Sequence, residues 1–161
     1  MPASWVPILA GTTCANVRLR TGSSRATGMA GVSLANCNQK RILVVEDEPA
    51  IRLMIADALR TSGFEVVETG SGDEALAVVE NGTTVHLAFV DVRLPGTMDG
   101  LALVSRLRET HPDIKLAVVS AYPPDWPSPR LVEVFIGKPY DVSRTVTRLR
   151  ALLEGPAGPA H

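Results

Sequence analysis

Five positions carry side chains that together could move a phosphoryl group: the acid pair Glu46 and Asp47, the carboxylate of Asp91, the hydroxyl of Ser120 and the amine of Lys138. Carboxylates gathered at one place repel one another, which raises a pKa or destabilises the fold unless a cation joins them. An all-oxygen ligand set with room for water and a phosphate oxygen suits Mg²⁺. A carboxylate so placed can attack phosphorus in line and form an acyl phosphate, if a metal and a cation neutralise the equatorial oxygens. In that chemistry Asp91 is the nucleophile, and Glu46 and Asp47 hold Mg²⁺ directly or through water. Lys138 meets one phosphoryl oxygen as a point charge, and Ser120 donates a hydrogen bond to another.

Taken one at a time, these residues have ordinary explanations. Asp47 and Glu48, beside Pro49, would cap a helix. Asp91 would begin the turn before "LPG", Ser120 would be a strand-end hydroxyl, and Lys138 a solvated surface lysine. The functional reading rests on their conjunction, and so on the elements that position them.

From Lys40 onward, short apolar runs alternate with helical periodicity. "RILVV" (41–45) is a short apolar run ended by acids, as in a strand buried on both faces. "PAIRLMIADALRTSG" then sets Ile51, Met54, Ile55, Ala58 and Leu59 at helical spacing, with Pro49 in the first turn and Gly63 as the stop. "FEVVET" (64–69) is a second strand, and "SGDEALAVVENG" opens on Ser71 and Glu74 as a capping box. "HLAFVD" (86–91), "IKLAVVS" (114–120) and "VEVFI" (132–136) read as three more strands. "DGLALVSRLRET" and "DVSRTVTRLRALLE" read as helices. Such alternation implies a doubly wound, mostly parallel α/β sheet. In that architecture function collects outside the carboxyl ends of the strands. Glu46 and Asp47 follow strand one, Asp91 ends strand three, Ser120 ends strand four and Lys138 follows strand five. Independent decoration has no reason to mark one end of four strands and leave the other plain.

Composition narrows the function. The chain has 161 residues, 45% hydrophobic and 20% charged, enough for one sizeable core. All 17 acids lie in residues 42–154 against 11 Lys and Arg, so the folded part is acidic and lacks the basic stripe that nucleic acid demands. Residues 1–39 carry Arg18, Arg20 and Arg25, no acid and no sustained periodicity. They are expected to be a disordered extension; a transit peptide or a true start at Met29 are alternatives. Cys14 and Cys37 match no zinc or redox spacing. "WVPILA" is too short, and too broken by Pro7, for a membrane span or signal core. No membrane and a cytoplasmic location are therefore expected. Residues 155–161, "GPAGPAH", read as a disordered tail.

"ILVVEDEP", "FVDVRLPGTMDG", "VVSAY" and "FIGKPY", in that order and spacing, resemble the receiver domain of two-component response regulators, over about residues 40–154. The resemblance implies a flavodoxin-like, five-stranded parallel sheet of order 2-1-3-4-5. It also implies Asp91 as phosphoacceptor, Glu46 and Asp47 as the acidic pair, Ser120 as switch hydroxyl and Lys138 as the essential lysine. The backbone carbonyl of Arg93 would complete the Mg²⁺ site. The phosphodonor would be a histidine kinase or a histidine phosphotransfer protein, and the downstream partner an unnamed protein.

Three departures accompany the resemblance. "LPGTMDG" is one residue longer than the commonest version, which would alter the loop without moving Asp91. Phe135 stands where an aromatic side chain often swings inward on phosphorylation, but lacks a hydroxyl, so any switch there rests on packing; the alternative is a buried strand aromatic. Receivers normally carry their fourth helix between strands four and five. Here Pro123, Pro124, Pro127 and Pro129 fall among the 17 residues between Ser120 and Lys138, so that helix is expected to be short or absent. Tyr122 and Trp126 are expected to pin the crossover to the sheet, with a partner anchor as the alternative.

With few residues after Glu154, the expectation is a stand-alone receiver that signals by phosphorylation-dependent protein binding and catalyses only its own phosphorylation and dephosphorylation. A phosphate sink that drains a shared kinase without binding an effector is the alternative. A Mg²⁺-dependent aspartyl-phosphate phosphohydrolase would need a second acid two residues after the nucleophile, where this chain has Arg93. A degenerate, unphosphorylated receiver would lack site residues that are all present.

Overall fold

In the computed structural model, residues 39–122 and 131–155 are described. Strands β1 (Arg41–Val45), β2 (Glu65–Thr69), β3 (Leu87–Asp91), β4 (Lys115–Ser120) and β5 (Val134–Gly137) form one sheet of order β2-β1-β3-β4-β5. Every neighbouring pair is parallel. Helices α1 (Pro49–Thr61), α2 (Gly72–Glu80), α3 (Gly100–Thr110) and α4 (Val142–Glu154) connect or follow them. The doubly wound sheet expected from the alternation is the observed one.

The strands are apolar on both sides because helices cover both faces. Leu43, Val45, Ala88, Val90, Leu116 and Val118 face α2 and α3, meeting Ala75, Val79, Leu103, Val104 and Leu107. Ile42, Val44, Leu87, Phe89, Ala117 and Val119 face the other way, onto Ile55 and Leu59 of α1 and Val146 and Leu149 of α4. Each fully buried aliphatic side chain contributes about 2 kcal/mol. The central strands β1, β3 and β4 are thereby held firmly enough to act as a platform for the polar residues at their carboxyl ends.

Helix starts follow local chemistry. Ser71 Oγ accepts from the Glu74 N–H at 3.3 Å while Glu74 Oε2 accepts from Gly70 N–H at 2.9 Å, so the capping box forms, with its return bond one residue earlier than the ideal motif. Asp99 caps α3 through Ala102 N–H at 2.8 Å, and Asp141 caps α4 through Arg144 N–H at 2.7 Å. At α1 the N-cap is Glu48, whose side chain makes no capping bond. The acids there are thus not used as helix caps.

Strand β5 starts at Val134, two residues later than the apolar run suggested, and extends through Gly137. The residues before it are fastened separately. Arg108 of α3 donates to the Leu131 carbonyl at 3.1 and 3.0 Å and forks onto Glu133 at 3.0 and 2.9 Å, while Glu133 Oε2 accepts from Leu116 N–H at 2.6 Å. No described residue between β4 and β5 is helical. The expected shortness of the crossover helix concerns Pro123 to Arg130, which lie outside the described residues, as does Trp126. Tyr122 is 70% exposed, which corrects the expectation that it pins the crossover to the sheet. The expected disordered segments 1–39 and 155–161 also fall, but for Gln39 and Gly155, outside the described residues.

Candidate functional site

The alternation of side chains along β1 and β3 continues past their last apolar residues. Glu46 follows Val44 and Asp91 follows Phe89 at a spacing of two, so both carboxylates fall on the α1/α4 face at the carboxyl edge of the sheet. Both are buried, Glu46 to 1% and Asp91 to 5% exposure, whereas Asp47 is exposed. Lys138, one residue beyond β5, reaches across the edge: its Nζ lies 2.9 Å from Glu46 Oε2 and 2.5 Å from Asp91 Oδ2. It is therefore no solvated surface lysine. Ser120, buried to 6% exposure, ends β4 beside them, and Lys138 N–H donates to its carbonyl at 2.8 Å.

Two ordinary readings are partly right as well. Asp91 Oδ1 accepts from Arg93 N–H at 3.1 Å, the local turn expected of an aspartate before such a loop. Ser120 Oγ accepts from Tyr122 N–H at 3.3 Å. These bonds orient the side chains and leave Asp91 Oδ2 to Lys138. The long loop after Asp91 is pinned rather than loose: Thr97 Oγ1 donates to Asp73 Oδ1 at 2.8 Å, and Gly72 at the start of α2 packs tightly on Met98.

Charge does not balance at this edge. Glu46, Asp47 and Asp91 can each bring a carboxylate oxygen within 4.8 Å of the others, and Lys138 is the cation among them. Burial raises the Glu46 pKa and Asp91 adds to that, while the hydrogen bond from Lys138 opposes it; the carboxyl ends above its ordinary value. Burial by itself would lower Lys138, but its hydrogen bonds to Asp91 and Glu46 outweigh this and hold the ammonium above the ordinary lysine value. An oxygen-only set with surplus negative charge, partly open through exposed Asp47, fits a hard divalent cation.

Phe135 is half-buried, packed with Val132 against the core on the α2/α3 side. Beside Lys138 lies an apolar groove of about 450 Å³ lined by Ile51, Met54, Ala121, Pro139 and Tyr140. The Tyr140 ring meets Phe89 edge-on at 6.0 Å, and its buried hydroxyl has no hydrogen-bond partner among the described residues.

Two supporting residues escaped sequence reasoning. A Cβ on Gly100 would overlap the Asp91 carbonyl, so α3 can start this close to the phosphoacceptor candidate only with glycine there. The "DG" pair was a visible signal. Arg52 turns back from α1 to donate to the Glu46 carbonyl at 2.6 Å, a contact that helical periodicity does not report.

A family model described as the response regulator receiver domain matches residues 42–150. The sensor kinase CckA of Brucella abortus is 39% identical over 118 residues, covering 70% of this chain and 12% of that protein. Response regulator MprA of a Mycobacterium species is 33% identical over 132 residues, covering 74% of this chain and 56% of that protein. The chain thus spans less than two thirds of the length of either relative. Among solved structures, the receiver domain from the hybrid histidine kinase CckA is 36% identical with a TM-score of 0.60, covering 70% of this chain and 98% of that one. Response regulator TrrA from Thermotoga maritima, in complex with Mg²⁺-BeF, is 29% identical with a TM-score of 0.63, covering 71% of this chain and 100% of that one. No helix among the described residues is long and apolar enough to cross a membrane.

Proposed function

The chain belongs to the response regulator receiver domain family, and on that premise we propose that Asp91 accepts a phosphoryl group from a phosphohistidine donor and that the aspartyl phosphate changes which protein the domain binds. The observation that carries this reading is the Lys138 amine held between Glu46 Oε2 and Asp91 Oδ2 at the carboxyl edge of the sheet. That amine orients Asp91, and it is already where an incoming phosphoryl oxygen needs a cation.

In the transfer, an Asp91 carboxylate oxygen forms the new P–O bond as the P–N bond to the donor imidazole breaks. The imidazole leaves with the electron pair and regains a proton. Lys138 exchanges its contact with Asp91 for one with a phosphoryl oxygen, and the Ser120 hydroxyl, accepting from Tyr122 N–H, keeps its own proton to donate to another. Glu46, Asp47 and Asp91, with the Arg93 carbonyl, would hold Mg²⁺, as receiver domains do at an acidic pocket. When bound, the ion supplies positive charge against the transferring oxygens. Phe135 has no hydroxyl to offer, so an output switch there works by repacking against its neighbours.

The donor is a histidine kinase or a histidine phosphotransfer protein. The apolar groove from Ile51 and Met54 to Tyr140 opens directly beside Lys138, which supports docking of an apolar ridge that carries the phosphohistidine. The test is phosphorylation with Mg²⁺ and either acetyl phosphate or an autophosphorylated kinase. Wild-type protein should take up an acid-stable, base-labile phosphoryl group and Asp91→Asn none; the same label on the variant sinks the assignment. Rapid hydrolysis without any phosphorylation-dependent change in protein binding would favour a phosphate sink over a binding switch.

A further inference from the structure

We propose that Arg52 is a positioning residue for the Mg²⁺-binding acids: it holds the Glu46 carbonyl and so fixes how the link between β1 and α1 presents Glu46 and Asp47. The proposal rests on the reading of Glu46 and Asp47 as metal ligands. Three observations support it. The Arg52 guanidinium donates through Nη1 to the Glu46 carbonyl at 2.6 Å, while the Arg52 backbone N–H donates to the Glu48 carbonyl at 3.0 Å. The backbone bond is the first turn of α1 and holds the far end of the link whatever the side chain; the guanidinium adds the tie to its near end. From the opposite side, Glu46 N–H donates to the Thr69 carbonyl at 3.2 Å, so both polar groups flanking Glu46 in the chain are taken. Asp47 comes next and is exposed, with no side-chain hydrogen bond or ion pair among the described residues to aim it. Its direction is set by the backbone that Arg52 holds.

The arginine is itself held. Its Nε lies 3.8 Å from Glu68 Oε2, its side chain is only 22% exposed, and a Cβ on Gly70 would come within 3.4 Å of its Nη1. Glu68 also takes Arg60 at 2.6 Å, and Arg60 in turn reaches Asp57. Arg60 thus shares the anchor and the charge but makes no contact with the metal-binding link. Comparison of the two arginines separates positioning from general support.

Lysine keeps the charge but offers one point donor where arginine offers a fork, and it cannot serve the Glu46 carbonyl and Glu68 together. The experiment is a calorimetric Mg²⁺ titration of the full chain, with urea unfolding of each variant in parallel. Arg52→Lys should weaken Mg²⁺ binding about tenfold, as loss of a residue that orients a ligand does, whereas Arg60→Lys should leave it within about twofold of wild type. Urea midpoints of the two variants should fall by similar amounts. Unchanged Mg²⁺ affinity in Arg52→Lys, or equal weakening in Arg60→Lys, overturns the proposal. Asp47→Ala, in the same titration, checks the underlying reading: wild-type affinity there removes the metal site itself, a result separate from any failure of Arg52.

Discussion

At the amino edge of the sheet, Arg41 donates to Glu65 at 2.8 Å and to the Thr84 carbonyl at 3.0 Å, while its backbone N–H donates to His86 Nδ1 at 3.0 Å. At the carboxyl edge, Glu46, Asp47 and Asp91 lie close together, and Lys138 pairs with Glu46 and Asp91. Strand β1 begins at Arg41 in one arrangement and leads directly into Glu46 in the other. At one end polar groups are matched donor for acceptor, and the edge is complete as it stands. At the other, buried like charges are tolerated without full compensation, which costs stability and leaves chemistry to be completed by something brought in. Substitutions should therefore sort by edge: loss of stability alone at the amino edge, and loss of function at the carboxyl edge, with stability retained or improved where one of the crowded carboxylates is what is removed.

Glycines give the largest expected contrast. Gly100→Ala drives a methyl group into the Asp91 carbonyl, and neither backbone can yield without moving the other, so urea unfolding should show a loss of about 3 kcal/mol. Phosphoryl uptake should fall with it, because the displaced atom belongs to Asp91. Gly82, which closes α2 at the amino edge with φ +84° and open space around it, should cost about 1 kcal/mol as alanine, with uptake unchanged. Equal losses from both substitutions would mean that the close approach at Gly100 is not held in solution.

Charges test the contrast directly. Asp91→Asn removes one of the crowded carboxylates and leaves Lys138 to Glu46, so without Mg²⁺ the variant should be more stable than wild type by about 1 kcal/mol. Adding Mg²⁺ should narrow the gap, since the ion binds only the folded acid cluster. Glu65→Gln should lower stability by about 0.5 kcal/mol, because the ion pair with Arg41 is about one-third exposed and screened. A destabilised Asp91→Asn protein would break the comparison. Tyr140→Phe sharpens it further: the buried hydroxyl has no partner among the described residues, so its removal should raise stability by about 1 kcal/mol while keeping the ring edge-on to Phe89.

Most of the carboxyl edge was legible in the sequence because each of its groups stands at a fixed offset from an apolar run. Glu46, Asp91, Ser120 and Lys138 each end or follow a strand, and parallel strands bring those ends together. The illegible part depends on contacts that no period encodes. Arg52 reaches backward across the start of its own helix. Arg108 meets Glu133 at a separation of 25 residues, and that clamp sets where β5 begins. Tyr122 looked like a loop anchor because aromatic residues usually bury, yet nothing adjacent in sequence decides which way a residue just past a strand end turns.

His86 offers the smallest and most selective test, confined to the amino edge. Burial lowers its pKa from the ordinary 6.5; the charges of Lys40 and Arg41 push it the same way, and a backbone hydrogen bond with Arg41 and the charge of Glu65 oppose this. Since the folded state binds the proton less readily than the unfolded chain, the neutral ring contributes its full stability above the unfolded pKa. That contribution is lost as pH falls through 6.5 toward the lower folded value. In His86→Asn the amide oxygen stands where Nδ1 accepts from Arg41, without a group that titrates. Between about pH 7.5 and about pH 5.5 the wild-type unfolding free energy should therefore drop more steeply than that of His86→Asn, with phosphoryl uptake alike in both. Parallel stability curves would show that the amino edge has no titrating member. A change in uptake would show that the two edges are coupled through β1 and β3, which the one-to-one matching of polar groups at the amino edge argues against.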